Sequence, residues 1–167
     1  MLIHQIPPKP AYLRVKVGRR LARIGAVALK NTVYVLPGSA EAQEDLQWVL
    51  REIVSGGGEA TLLDAHLVDG LSDTDVEALF RSARDADYAE VAEGARAVEL
   101  RIVDTEIVEE RRRQADTELS RLEKRIDEIS TIDYFGAAGR GPARALLAAL
   151  RDRISQRVAP PLALEQN

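Results

Sequence analysis

The chain contains no cysteine, which excludes disulfide bonds and thiolate metal sites. No apolar run approaches the roughly 20 residues of a membrane-spanning helix. The opening segment lacks a basic leader region and meets a proline pair, Pro7 and Pro8, almost at once. These absences fit a cytoplasmic protein with no membrane partner. Histidine is scarce as well: His4 and His66 fall in separate predicted strands, and no His-x-x-x-His or His-Glu-x-x-His spacing occurs, so no metal centre is expected. One sign of charge is missing from a whole region. Residues 1–40 hold no Asp or Glu but carry Lys9, Arg14, Lys16, Arg19, Arg20, Arg23 and Lys30, so in a chain of net charge -4 the remainder bears -11. That asymmetry points either to a polyanionic partner or to pairing of the basic segment with the acidic remainder inside the fold.

What is present reads as a mixed α/β chain of 167 residues, long enough to bury a core without staples. Residues 2–6 predict a short strand stopped by Pro7, Pro8 and Pro10. Leu13, Val17, Leu21 and Ile24 recur at helical spacing over residues 11–24, with Gly25 as a C-cap. Residues 26–36 predict a strand or a bent pair of strands around Lys30 and Asn31. A second helix over residues 40–54 turns Leu46, Val49, Leu50 and Ile53 inward, and Gly56, Gly57 and Gly58 stop it. Residues 59–68 predict another strand. Ser72 then caps a helix through Val76, Leu79, Phe80 and Ala83, extending to about Arg96, with Asp75 in the place of the capping-box glutamate.

From residue 104 to 130 the pattern becomes a highly charged helix. Its seam is Val108, Ala115, Leu119, Leu122, Ile126 and Ile129, which serves either a dimer interface or a pairing with the last helix, expected over residues 142–158. The expected architecture is α/β (α+β): a ferredoxin-like β-α-β sandwich over residues 1–100, an antiparallel helical pair over 101–160, and a disordered tail over 161–167.

The first helix holds the leading candidate site. Lys16, Arg19, Arg20 and Arg23 stand at i, i+3, i+4 and i+7 and share one face, with Arg14 nearby and no acid on the same helix. Like charges so spaced repel, and a nucleic-acid backbone would relieve them; acids of the second helix, or water, would do the same. Such contacts position a protein on phosphates without reading bases. Catalysis has little support. The triple glycine lacks the lysine and Ser/Thr of a phosphate loop and follows a helix instead of preceding one. No Gly-x-Ser-x-Gly occurs, and the carboxylates lie on predicted helix surfaces. Trp48, Tyr34, Phe80, Tyr88, Tyr134 and Phe135 read as core or interface residues more than as stacking platforms. No cofactor is expected and the chain reads as a non-enzyme.

Two linked runs carry a family resemblance. Arg19-Arg20-Leu21 leads to Gly25-Ala26, and Asn31 leads through Val33-Tyr34 to Leu36-Pro37. With Arg14, Trp48, Glu52, Gly57, Gly58, Glu59 and Ala60, and later Phe80 and Tyr88, they resemble the N-terminal domain of ChrB proteins over about residues 1–100 and more loosely beyond. The resemblance implies a chromate-responsive transcriptional regulator of a chromate-resistance operon, in which Arg14, Lys16, Arg19, Arg20 and Arg23 contact operator DNA or chromate, with a homodimer as the expected assembly. The alternative is an oxyanion-sensing or small-ligand domain without direct DNA contact. A more distant similarity runs to the ferredoxin-like domain of the CRISPR spacer-acquisition nuclease and the phenylacetate-degradation repressor. The nuclease ends its first strand on an Asp; here the run is His4-Gln5-Ile6-Pro7, which argues against metal-dependent cleavage.

Overall fold

The structure is a computed structural model that describes residues 1–9, 11–102 and 109–156. Among the described residues nine elements follow one another: β1 (Leu2–Gln5), α1 (Ala11–Arg23), β2 (Val27–Lys30), β3 (Val33–Val35), α2 (Ala40–Ser55), β4 (Glu59–Leu62), α3 (Asp73–Ile102), α4 (Glu109–Thr131) and α5 (Arg140–Gln156). The chain divides into two compact units. One comprises Met1–Ala83 with Ile132–Ala137; the other comprises Arg84–Thr131 and the chain from Ala138 on. The division in the chain falls within α3, between Ala83 and Arg84. Among the described residues, no helix is long and apolar enough to cross a membrane.

The first unit is α+β, as expected. Its four strands form an antiparallel sheet in the order β2-β3-β1-β4. Alternation along the strands sends Leu2 inward and leaves Ile3 outside, so one sheet face is apolar and the other is open. The apolar face packs under α1 and α2. Leu13, Val17 and Leu21 of α1 meet Leu46, Val49 and Ile53 of α2, and all are buried with Leu2 and Ile6. Fully burying side chains of this size stabilises by about 1.5–3 kcal/mol each, so this stripe anchors both helices to the sheet. Gly25, at φ 74°, lets the chain leave α1, and its neighbour Ala26 N–H closes the turn on Leu21 O. The Lys30–Asn31 bend is a hairpin between β2 and β3 with a register shift between Ala28 and Lys30. Two neighbouring glycines at the end of α2 do different work. Gly57 takes φ 83°, whereas Gly58 has no room for a side chain: a Cβ there would lie 2.8 Å from the Gln5 carbonyl of β1.

Two boundaries differ from the sequence reading. The strand expected over residues 59–68 stops at Leu62, because the β1 ladder it pairs with ends at Leu2, opposite Leu62. The helix beginning after Ser72 does not end near Arg96 but runs to Ile102. Its cap is as expected: the Asp75 carboxylate accepts from the Ser72 N–H at 2.9 Å, and the Ser72 hydroxyl accepts from the Asp75 N–H at 3.2 Å.

The second unit is helical. On α3, Tyr88, Val91, Ala95, Val98 and Ile102 are buried at three-four spacing; on α4, Ala115, Leu119, Ile126 and Ile129; on α5, Ala143, Leu147, Leu150 and Ile154. Helices α4 and α5 run antiparallel, with Arg144 reaching Asp127 and Arg151 reaching back to Glu123. The α4 seam therefore serves an intramolecular pairing. Val108 lies outside the described residues, as do the end of the predicted last helix and the expected tail.

Candidate nucleic-acid interface

Helix α1 turns its three buried residues toward the sheet, and its cations emerge on the remaining arc. Arg14, Lys16, Arg19, Arg20 and Arg23 are all exposed. They do not act as one face. Lys16 and Arg20 lie on the flank beside α2, where Lys16 Nζ stands 2.5 Å from Glu52 Oε1 and Arg20 Nη1 stands 3.4 Å from Glu52 Oε2. Arg14 lies on the opposite flank and donates to the Ile6 carbonyl at 3.3 Å. Arg19 and Arg23 point outward between the flanks and have no carboxylate or hydrogen-bond partner among the described residues. A single carboxylate thus answers two of the five cations, and the helix keeps a surplus of positive charge.

Glu52 carries that compensation. Its side chain is only 12% exposed, against 63% for Lys16. The hydrogen bond from Lys16 holds its carboxyl below the usual glutamate range; partial burial opposes this, and the charges of Lys16 and Arg20 reinforce it. It is therefore ionised at neutral pH.

Two exposed aromatic residues stand with the cations. Tyr12, 65% exposed, precedes Lys16 by four residues and Arg19 by seven, which places it on the outward arc of α1. The sequence reading passed over it, although its position off the Leu13-Val17-Leu21 stripe was visible there. Trp48 is 47% exposed, not core, and the Arg51 guanidinium lies 4.9 Å from its ring centroid. Glu52 faces Lys16 and Arg20, and Gly56 packs on Leu13, so α2 runs antiparallel to α1. Trp48, one turn before Glu52, accordingly lies toward the Arg20–Arg23 end of α1. By contrast Phe80 and Tyr88 are buried. Tyr34 is half-buried and stacks on His4 with ring centroids 5.6 Å apart. Tyr134, 43% exposed, donates to the Ile24 carbonyl at the end of α1 at 2.9 Å.

The histidines do not converge. His4 sits on β1 beneath α1, while His66 lies in the exposed segment after β4 and not in a strand. No group of three or more His, Asp or Glu side chains suited to a metal ion occurs among the described residues.

The model of the N-terminal region of Protein ChrB matches residues 14–159, which includes α1 from Arg14 on and every later described element. The chain belongs to the ChrB N-terminal family. A curated relative, Protein ChrB of Cupriavidus metallidurans, is 24% identical over 139 residues, covering 81% of this chain and 40% of its own length. The chain thus spans about two-fifths of the curated relative it matches. No solved structure matches significantly.

Proposed function

We propose that this chain is the DNA-contacting part of a chromate-responsive transcriptional regulator, and that its first six elements form a ferredoxin-like unit presenting α1 to the DNA backbone. The βαββαβ order with the sheet order β2-β3-β1-β4 supports the fold reading. Membership of the ChrB N-terminal family supports the regulatory reading. The observation that carries the DNA contact is the outward pair Arg19 and Arg23, unanswered by any described carboxylate, with the exposed Tyr12 beside them. Arginines so placed contact phosphates and release counterions on binding. Arg14 contributes from one flank, while on the other Glu52 holds Lys16 and Arg20 back from phosphate. Tyr12 adds a flat donor surface against the sugar-phosphate chain.

The test is a binding titration on duplex DNA taken from upstream of the operon, at several salt concentrations. The variant Arg19→Ala/Arg23→Ala is expected to bind more weakly and to lower the slope of log K against log salt by about 1.8. An unchanged slope with a folded variant rejects this contact. Adding chromate to the same titration tests the response.

A further inference from the structure

The flank of α1 away from α2 overhangs a cavity of about 390 Å³, lined chiefly by His4, Arg14, Gly18, Asn31, Thr32 and Tyr34. Four properties of this lining belong together. It contains no Asp or Glu, yet it holds a guanidinium, two amides and two hydroxyl-bearing side chains. Arg14 spends one N–H on the Ile6 carbonyl at 3.3 Å, which leaves most of its donors for another acceptor. Both nitrogens of His4 are buried and lack a hydrogen-bond partner among the described residues. An imidazole in that condition forfeits hydrogen bonds it would make in water. Gly18, in the middle of a helix, leaves the space open: a Cβ built there meets nothing within 4 Å. Glycine is a poor choice for a helix interior unless the space beside it is needed.

We infer that this cavity is a binding site for a small oxyanion, free or carried on a small organic molecule, held by Arg14 and by the imidazole of His4. An acid-free cavity that sets one guanidinium over largely apolar walls suits an oxyanion, free or carried on an apolar organic group. Neither His4 nitrogen meets solvent as the cavity stands, so binding turns the imidazole toward the cavity and relieves its lack of a partner. Of the α1 cations, only Arg14 lines this cavity. The site thus sharpens the oxyanion reading of the sequence and stands apart from the outward pair Arg19 and Arg23.

The chain's two histidines make the test direct, because His66 is exposed and serves as an internal control. Imidazole resonances of ¹⁵N-labelled full chain are followed while sulfate, phosphate, chromate or phenyl phosphate is added, against sodium chloride at matched ionic strength. The expected result is a saturable shift of His4 and none of His66. Gly18→Leu fills the cavity and removes the shift; Arg14→Gln, at an exposed position, weakens it about tenfold or more. Tighter binding of phenyl phosphate than of the inorganic ions assigns the site to an organic carrier, and the reverse assigns it to the free anion. Arg19→Ala/Arg23→Ala leaves the His4 shift intact while weakening DNA, so the two readings fail separately. A His4 resonance that moves with none of these anions, or no more than with chloride, overturns the proposal. So does a shift that persists unchanged in both Gly18→Leu and Arg14→Gln.

Discussion

Glutamine at position 52 removes the only carboxylate that the α1 cations reach among the described residues. Its effects on stability and on DNA binding have opposite signs. Lys16 and Arg20 are 63% and 43% exposed, so both stay solvated after their partner is neutralised. An ion pair with solvated partners contributes about 0–1 kcal/mol, and Glu52→Gln keeps the side-chain shape, so the expected loss is at most about 1 kcal/mol. The lost increment has a defined pH dependence. Glu52 titrates lower in the folded chain than in the unfolded one, so its contribution is present above the unfolded glutamate pKa and vanishes as pH falls through the folded value. Wild type and variant should therefore converge in stability in acid.

On DNA the same change releases two cations. If both then meet phosphates, the salt slope grows by about 0.9 for each, or about 1.8 in all. Between 50 and 200 mM salt the variant's affinity should fall about tenfold more than that of the wild type. Fluorescence anisotropy on a labelled duplex, with urea denaturation in parallel, reads both effects. A variant as stable as expected that shows the wild-type slope would refute the idea that Glu52 competes with phosphate for Lys16 and Arg20.

Gly58→Ala should destabilise the first unit by about 1–3 kcal/mol, since the new Cβ would lie 2.7 Å from Ile53 Cγ2 and 2.8 Å from the Gln5 carbonyl, a backbone atom with little freedom to yield. Urea denaturation measures it, and a neutral result would mean that the β1–α2 junction is looser than described. His4→Phe keeps a ring to stack on Tyr34 and deletes two unpartnered nitrogens, so in anion-free buffer it should raise stability by about 1 kcal/mol or more. Burial lowers the His4 pKa from 6.5, so the unfolded chain takes up the proton first and wild-type stability falls as pH drops below that value. The phenylalanine variant should flatten that fall, and thermal melts across the range would show a parallel decline if His4 were not its source.

The sequence by itself determined the elements and the chemical character of the first helix. Leu13, Val17 and Leu21 mark its buried stripe by spacing alone, and Ser72 with Asp75 mark the start of α3, because capping and amphipathic burial depend on residues a few positions apart. The α+β class, the hairpin near Lys30 and the glycine stop after α2 were legible for the same reason. Only the tertiary structure decided what the cations do. Residues at i, i+3, i+4 and i+7 look equivalent along a helix, but packing α2 on one flank brings Glu52, distant in sequence, to Lys16 and Arg20 and leaves Arg19 and Arg23 outside. It likewise left Trp48 at the surface, ended β4 where its partner strand ends, and enclosed His4 beside Arg14 and Gly18. Long-range proximity is set by which surfaces bury together, and no local spacing encodes that.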